Sequence, residues 1–466
     1  MPDVSVSVVP MLDRSGSMAD AMPLVIIDAK AFVRAARPGD QIGVVQFESS
    51  VSMLYPTTQT LATVDAQFTV TAAAAAKIAT LTAGGGTDMG DAVKIANTLM
   101  AGAANPVRAY MLLSDGDWNE GPDPNPLVPA STPIFVCGLG PGMRESYVAG
   151  MLAKNPSSQY IAAPNAYQMM QVFNAIRGLT AEAGVVRNTI APYTGTDYTL
   201  TPMTIDASTD ECQFTVVWSD EQYSYTSGIP DARHVNLQLI DPNGNTTQLQ
   251  PVIADPGYAI FNLQSPQPGT WQVLAQYTVQ SPIYGTSAGF EFESTTLLTL
   301  DLPPTAAVGE PVRVRAHLTD NGAPVENVKV TARVSAPQFE LSRLLEEHAP
   351  ALATHLQNKG RDEQTAQESN GGAGRVAALR EVLLKRNPGV DPFPHAASYR
   401  TFSQADDGAY ATYLGPTPRS GPYTIEVTAS GYLPSSKSAF ERSALATVLV
   451  GSAGSNTSAR ADPVNE

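Results

Sequence analysis

The chain contains little cysteine and has a deficit of positive charge. Cys137 and Cys212 are the two cysteines among 466 residues, and each lies in an apolar strand pattern. We therefore expect two buried free thiols and no disulfide framework. The 28 lysines and arginines are outnumbered by 44 aspartates and glutamates, giving a formal net charge of −16. A nucleic-acid partner is not expected, because affinity for phosphates depends largely on lysine and arginine.

Long apolar runs and several catalytic motifs are also missing. No segment approaches the roughly 18 uninterrupted apolar residues of a membrane span. Residues 1–9 have no basic start and no small-residue cleavage site of the kind found in secretion signals. As written, the sequence predicts a cytoplasmic protein, or an extracellular one if a leader is missing. The Walker motif G-x-x-x-x-G-K-S/T and the zinc motif H-E-x-x-H do not occur, so any ATPase motor would be a separate chain.

The first 181 residues alternate between strand and helix patterns. Several of the strands are continuous apolar runs, which are typical of a parallel sheet covered on both faces by helices. We therefore expect an α/β fold, a Rossmann-like doubly wound and mainly parallel sheet. The predicted strands are 4–12, 41–47, 51–55, 132–138 and 159–163, and the predicted helices are 19–37, most of 60–81, 89–100, 145–154 and 165–178, the last opened by Asn165 as N-cap.

Oxygen-bearing side chains cluster where these predicted strands end. The first strand ends in a D-x-S-x-S turn formed by Asp13, Ser15 and Ser17, Thr87 stands at the start of a helix, and Asp115 follows another apolar strand. In an open parallel sheet, ligands bind at this carboxyl edge. Carboxylate and hydroxyl oxygens suit Mg²⁺, which usually keeps several waters and therefore open positions. The alternative is that these residues only form turns and helix caps.

The order of these residues resembles the metal-ion-dependent adhesion site of the von Willebrand factor type A family. The resemblance implies that Asp13, Ser15, Ser17, Thr87 and Asp115 hold Mg²⁺, with Mn²⁺ or Ca²⁺ as alternatives. It also implies a non-enzymatic adhesion or protein-binding module, in which the cation bridges to an Asp or Glu carboxylate of a protein partner. Two other functions stay open: a subunit of a chelatase or ATPase assembly, and a metal-assisted hydrolase using Asp117 or Glu120 as base. The oligomeric state is not predicted.

After about residue 182 the pattern changes to period-two alternation with frequent turn residues, which is typical of antiparallel sandwiches. We predict a β-sandwich over 182–291, a second one over 292–450, and a disordered tail over 451–466. Residues 268–271 resemble an edge motif of bacterial β-sandwiches, with Trp271 in the core, and the second sandwich resembles bacterial immunoglobulin-like domains. The whole arrangement resembles, more weakly, the chloride channel regulator proteins. Asp406 and Asp407 suit a turn, with Ca²⁺ binding as the alternative.

The second sandwich is interrupted by a helical insertion over residues 336–398. Leucines and valines recur at three- and four-residue spacing in two segments, which predicts an amphipathic helical hairpin. Its apolar face must cover the neighbouring sandwich, a second copy of the chain or a partner, and packing within the chain is the usual outcome. His348 and His355 lie seven residues apart but do not form a zinc motif.

Overall fold

A computed structural model places most of the chain. The prediction for Asp117 and almost all of the predicted tail fall outside the residues it describes. The described residues are 5–116, 118–180, 183–195, 198–228, 233–247, 250–277, 279–292, 294–359, 372–386 and 391–451.

The first domain is built on an eight-stranded, mainly parallel sheet, which confirms the predicted fold class. Its strands are β1 (Val6–Asp13), β2 (Gln41–Ile42), β3 (Val44–Phe47), β4 (Val51–Tyr55), β5 (Ala62–Thr63), β6 (Val107–Ser114), β7 (Ile134–Leu139) and β8 (Gln159–Ala163). The order is β4-β3-β1-β6-β7-β8, with β2 also beside β1 and β5 beside β2. The β3–β4 and β2–β5 pairs are antiparallel, and the others are parallel. All of β1 is buried, so the strand that ends in Asp13 lies at the centre of the domain.

Five helices cover the two faces of this sheet. They are α1 (Met22–Arg34), α2 (Thr69–Ile78), α3 (Met89–Ala101), α4 (Glu145–Leu152) and α5 (Met169–Thr180). Side chains of α1, α2 and α5 fill one apolar core, and those of α3 and α4 fill the other. Cys137 lies in the first core, and both cysteines are buried and free, as predicted. Among the helices that the structure describes, none is long and apolar enough to cross a membrane.

The helix predicted over residues 60–81 is shorter than expected. Its first part forms β5 and a turn, and α2 begins only at Thr69. The cause is Asp65, whose carboxylate accepts hydrogen bonds from the backbone N–H groups of Gln67, Thr69 and Val70. These bonds satisfy backbone donors before and at the helix start, so the chain turns at Asp65. Asn165 acts as a cap as predicted, and accepts a hydrogen bond from the N–H of Gln168 at 3.1 Å.

Two β-sandwiches follow. The first packs the sheet β10-β17-β13-β12, with β14, against the sheet β15-β16-β11-β18-β9. The strands are β9 (Gly184–Gly195), β10 (Tyr198–Ile205), β11 (Glu211–Trp218), β12 (Ser224–Thr226), β13 (His234–Ile240), β14 (Thr246–Thr247), β15 (Ile253–Asp255), β16 (Tyr258–Gln264), β17 (Gly269–Tyr277) and β18 (Val279–Phe292). Trp271 is buried in the core between the sheets. Phe292 is the last residue of β18, so it belongs to this sandwich and not to the second one.

The second sandwich packs β19-β21-β26-β25, with β22, against β20-β28-β27-β23-β24. The strands are β19 (Thr296–Asp301), β20 (Thr305–Ala307), β21 (Val312–Asp320), β22 (Ala323–Pro324), β23 (Lys329–Pro337), β24 (His395–Thr401), β25 (Ser403–Gln404), β26 (Tyr410–Leu414), β27 (Gly421–Tyr432) and β28 (Ala439–Gly451). Between β23 and β24 lie α6 (Leu341–Glu347), α7 (Ala349–Lys359) and α8 (Gly372–Arg386). Because Pro337 pairs with His395, the insertion leaves and re-enters the sheet at neighbouring positions.

Polar contacts join the three domains. Three side chains in and just after α1 form ion pairs with the first sandwich. The second sandwich contacts the edge strand β8, where the Thr447 hydroxyl accepts a buried hydrogen bond from the Ala162 N–H at 2.9 Å. The ion pairs are Lys30–Glu221, Arg34–Asp255 and Arg37–Glu211. The domains therefore pack directly on one another.

Asp28 on α1 is a buried acid whose two carboxyl oxygens have no hydrogen-bond partner among the described residues. Burial raises its pKa well above the ordinary value, so the folded protein keeps this carboxyl neutral. The unfolded chain ionises it above about pH 4, and folding stability should then fall by about 1.4 kcal/mol per pH unit. We expect Asp28→Asn to remove this decline.

Chemical denaturation of the two proteins at a series of pH values above about 4, where the unfolded chain ionises Asp28, would test this expectation. The other buried acids, Asp13, Asp115 and Glu291, titrate alike in both proteins, so their effect cancels in the difference between the two stability curves. Asp301→Asn, at an exposed position, is the matched control and should follow the wild type. Parallel stability curves for wild type and Asp28→Asn would contradict the neutral state of Asp28.

Candidate metal site

Three segments meet at the carboxyl edge of the parallel sheet. Strands β1 and β6 are parallel neighbours in which Leu12 pairs with Leu113, so Asp13 and Asp115 leave the sheet side by side. The glycine-rich segment before α3 is fixed to the first turn by backbone hydrogen bonds. The Gly16 N–H donates to the Gly85 carbonyl at 2.9 Å, and the Gly84 N–H donates to the Arg14 carbonyl at 2.8 Å. The sheet order and these bonds bring together residues up to about 100 positions apart.

Four of the five predicted site residues form a continuous chain of hydrogen bonds. The Ser15 N–H donates to Asp13 Oδ1 at 2.7 Å, and the hydroxyls of Ser15 and Ser17 lie 3.1 Å apart. The Ser17 hydroxyl in turn donates to Asp115 Oδ1 at 2.9 Å. These contacts link two carboxylates and two hydroxyls at the sheet edge, where Ser15, Ser17 and Asp115 line a cavity and Asp13 is completely buried next to Ser15.

The fifth residue, Thr87, is buried and lines the same cavity as Ser15, Ser17 and Asp115. Its N–H donates to Asn119 Oδ1 at 2.8 Å, and its carbonyl accepts from the Asn119 N–H at 3.1 Å. The backbone of Thr87 is therefore fixed by the loop that follows Asp115, and Thr87 adds a third hydroxyl-bearing residue to the lining of the cavity.

The two site carboxylates have raised pKa values. Burial raises the pKa of Asp13, against hydrogen bonds from Ser114 and Ser15 that favour its charged form. Burial and the charge of Asp13 raise the pKa of Asp115, opposed by the Ser17 hydroxyl and by the Arg380 guanidinium. Because both acids are buried and Asp13 also raises the pKa of Asp115, a bound cation would favour the charged forms of both carboxyls.

The chemistry of this donor set fits a hard divalent cation. It offers two carboxylates and three hydroxyls, which are oxygen ligands preferred by Mg²⁺, Mn²⁺ and Ca²⁺ over softer metals. The described residues contain no cluster of three or more His, Cys, Asp or Glu side chains that could hold a metal. A cation here would therefore depend on the serine and threonine hydroxyls as well as on the acids.

Sequence reasoning missed two polar residues that support the site. Ser114, at the end of β6, donates its hydroxyl to Asp13 Oδ2 at 2.6 Å. Asn119 holds Thr87, as described above. Ser114 could have been identified from its position, because it directly precedes Asp115 at the end of an apolar strand that lies beside the strand ending in Asp13. Nothing in the local pattern identifies Asn119, since its role depends on how a loop folds back.

The other candidate residues have structural partners. Asp407 pairs with Arg315 and accepts from the Ala409 N–H, as expected for a turn. His348 contacts Arg386 at 3.1 Å, while His355 lies 2.9 Å from Glu381, so the two histidines do not share a site. Of the two acids considered for hydrolysis, Asp117 lies outside the described residues, and the Glu120 N–H donates to the Thr87 carbonyl at 3.4 Å.

The helical insertion lies across the face of this site. A cavity of about 150 Å³ has Ser15, Ser17, Thr87 and Asp115 on one wall and residues of α7, α8 and 391–393 on the other. The apolar hairpin therefore packs within the chain, and the surface that it covers includes the predicted metal site.

Comparisons with known proteins agree with a von Willebrand factor A-like first domain. A sequence model of the von Willebrand factor type A domain matches residues 8–117, a segment that contains all five predicted site residues. No curated protein matches the chain. The N-terminal α/β domain is thus von Willebrand factor A-like.

Solved structures with some likeness to the chain are of low identity. The von Willebrand factor type A protein from Catenulispora acidiphila is 14% identical, with 82% of this chain and 80% of that chain covered and a TM-score of 0.35. Proximal thread matrix protein 1 from the mussel byssus is 19% identical, with 41% and 50% covered and a TM-score of 0.32. The von Willebrand factor domain of the type V pili tip protein Mfa5 from Porphyromonas gingivalis is 16% identical, with 38% and 95% covered and a TM-score of 0.30. The match thus spans half the length of the mussel protein.

Proposed function

We propose that this protein is a metal-dependent protein-binding module of the adhesion type. In this proposal Asp13, Ser15, Ser17, Thr87 and Asp115 hold a divalent cation, Mg²⁺ in the first place, and an Asp or Glu side chain of a protein partner completes the site. The observation that carries the proposal is that these five residues meet at one sheet edge, where four of them line one cavity and Asp13 is hydrogen-bonded to Ser15, inside the segment that matches the von Willebrand factor type A domain.

The chain's own residues explain why the site would seek an anion. Three of the five proposed ligands are neutral hydroxyls, so the two carboxylates balance a divalent charge without exceeding it. A bound cation would supply an open coordination position for one carboxylate oxygen of the partner. Ser114 and Asn119 hold Asp13 and Thr87 in place, so the donor atoms are positioned before the partner arrives. The surrounding surface would then set the affinity.

The proposal gives the site a binding role and not a catalytic one. A hydrolase would need a base positioned to activate water. Glu120 follows the site by a few residues; its backbone N–H contacts the Thr87 carbonyl, and its carboxyl group lies against Gly86, so we assign it to the loop that packs beside the site. We assign the two sandwiches the role of a spacer and of additional contact surface.

We expect Thr87→Ala to weaken partner binding by about tenfold while the fold is kept, because the variant loses one hydroxyl ligand and no backbone contact. The measurement is affinity capture in Mg²⁺ or in EDTA, followed by titration of the captured partner against wild type and variant. Thr98→Ala, on the exposed side of α3, is the control and should bind as the wild type does.

The same partner should then be changed at its acidic residues. Exchange of one Asp or Glu for Asn or Gln is expected to abolish binding, because an amide cannot supply the anionic oxygen. Partner binding that is equal in Mg²⁺ and EDTA, or that survives every such exchange, would overturn the metal-bridge function.

A further inference from the structure

The helical insertion forms a separate unit over the candidate metal site. We use the word lid for α6, α7, α8 and residues 391–393. Helix α8 contacts the turn Gly16–Met18, which contains the proposed ligand Ser17 and directly follows Ser15. Arg380 and Glu381 of α8 and Phe393 line the cavity opposite the site residues. The lid thus contacts the face on which a protein partner would have to bind.

Charged groups of the lid face the site. The Arg380 guanidinium is near enough to Asp115 for its charge to lower the pKa of that carboxyl, against the larger effect of burial. Beside it, Glu381 Oε2 lies 2.9 Å from His355 Nε2 of α7, with about a quarter of the Glu381 side chain exposed (27%). The lid therefore presents a cation to the acids of the site and holds a carboxylate close by.

The cavity between lid and site is too small for a protein segment. Its volume is about 150 Å³, below the roughly 300–1,000 Å³ of ordinary small-molecule pockets. Water molecules or one small carboxylate fit in this space. A loop of a protein partner, with its backbone and flanking residues, does not fit while the lid is in place.

The lid is also built so that it can separate from the site as a unit. Leu352, Leu379 and Phe393 belong to its own apolar cluster, together with Phe339 of the segment that leads into it, and this cluster is distinct from the core of the second sandwich. Its two ends meet at the Pro337–His395 pair, and the Gln338 N–H donates to the Pro394 carbonyl at 2.9 Å. A unit with its own core and one narrow attachment can change its position without unfolding the sheet to which it is attached.

We propose that the helical insertion is an intramolecular lid that closes the metal site against its protein partner and places Arg380 beside Asp115 in the closed state. This inference rests on the proposed function, because it assigns a regulation to the same site. The partner reaches the site only when the lid has moved away. Metal binding is weaker in the closed state, since Arg380 competes with the cation for the charge of Asp115.

The test uses Mn²⁺ alone as the probe, on the wild type and four variants. In the first variant Asn-Gly replaces residues 338–394, a two-residue turn suited to the paired strand ends. In the second, Leu379→Asp places a charge in the lid's own core and leaves the strands unchanged. Water-proton relaxation reports how many exchangeable waters each bound Mn²⁺ keeps, and calorimetry reports the affinity.

We expect both variants to raise the relaxivity per bound Mn²⁺ roughly twofold, because open coordination positions become accessible to water. The Mn²⁺ affinity should rise by about three- to tenfold, as expected for the loss of one nearby, partly screened positive charge. Arg380→Gln should raise the affinity alone, with the lid still closed. Glu346→Gln, at an exposed position of α6, is the control and should change neither quantity.

Unchanged relaxivity in both the lid-deleted and the Leu379→Asp proteins would overturn the lid, while Mn²⁺ binding itself would still support the proposed function. Absence of Mn²⁺ binding in all proteins would overturn the proposed function, and the lid with it. If the deletion variant does not fold, the comparison of Leu379→Asp with wild type decides the question.

Discussion

Asp13→Ala should reduce the Mg²⁺ affinity by about 100-fold or more, whereas the fold should be kept. Asp13 is completely buried at the end of the central strand, and its two oxygens accept hydrogen bonds from the Ser15 N–H and the Ser114 hydroxyl. The substitution removes one of the two site carboxylates and the acceptor for the Ser15 N–H and the Ser114 hydroxyl. Among the described residues no cluster of three or more His, Cys, Asp or Glu side chains could bind the metal in its place, so the loss of affinity is expected to be large.

The fold should tolerate this change for an electrostatic reason. Burial raises the pKa of Asp13, so without metal its charged form is unfavourable in the folded protein. A folded-state pKa above the unfolded value means that stability falls as pH rises toward that folded pKa. The metal-free variant should therefore lose less stability between acidic and neutral pH than the metal-free wild type.

Calorimetric titration with Mg²⁺ and circular dichroism on the same samples would measure both effects. Asp91→Ala, which removes an exposed acid on α3, is the matched control and should bind Mg²⁺ as the wild type does. Wild-type affinity in Asp13→Ala would remove Asp13 from the site. Global unfolding of the variant would show that Asp13 holds the central strand in place, contrary to the expectation.

The site could be predicted from the sequence because its main components are local. The D-x-S-x-S turn puts Asp13, Ser15 and Ser17 on one short segment, and the parallel sheet then fixes where this segment lies relative to Asp115. Apolar strands that alternate with helices imply such a sheet, so the fold class and the meeting of these residues follow from one pattern. The placement of Thr87 needed the family resemblance, since it depends on a loop.

The lid could be predicted as a helical hairpin but not as a cover for the site. Its apolar spacing shows that one face must be buried, and the spacing is the same whatever surface it meets. Arg380 and Asp115 lie far apart in the sequence and in different domains, so their proximity depends on how the domains pack. The late start of α2 could have been predicted from Asp65, whose carboxylate accepts hydrogen bonds from the N–H groups of Thr69 and Val70. The alanine-rich sequence that follows Asp65 favours a helix and led to the longer prediction.

The domain packing that brings the lid to the site rests partly on a buried charged cluster around Arg442. This residue of β28 is completely buried and pairs with Asp206 and Glu291, both in the first sandwich. It also donates to the Ser294 hydroxyl at 2.7 Å and to the Thr296 carbonyl at 2.8 Å. One guanidinium therefore links strands of the second sandwich to the end of the first. The position of the second sandwich, and with it that of the lid, depends on this contact.

The protonation of the two acids shows how strongly Arg442 acts. Burial raises the pKa of Asp206, but the charge of Arg442 and the hydrogen bonds from Ser208 together outweigh burial and leave that pKa below the ordinary value. For Glu291, burial and the nearby Asp206 outweigh Arg442, and the pKa is raised. Arg442 and Ser208 together thus keep Asp206 charged, whereas Arg442 only partly offsets the burial of Glu291. Loss of Arg442 would leave two acids in a space that water does not reach.

Arg442→Met is therefore expected to lower the free energy of unfolding by about 3–5 kcal/mol, the usual cost of removing one partner from a buried ion pair. Urea denaturation would measure the loss, and Arg313→Met, at an exposed position of β21, should stay within about 0.5 kcal/mol of wild type. Addition of Glu291→Gln to Arg442→Met should recover part of the loss, because one uncompensated acid is removed. A small loss of unfolding free energy in Arg442→Met would mean that the buried cluster does not fix the position of the second sandwich. The contact between Ala162 and Thr447 would then have to hold the second sandwich, and with it the lid, over the metal site.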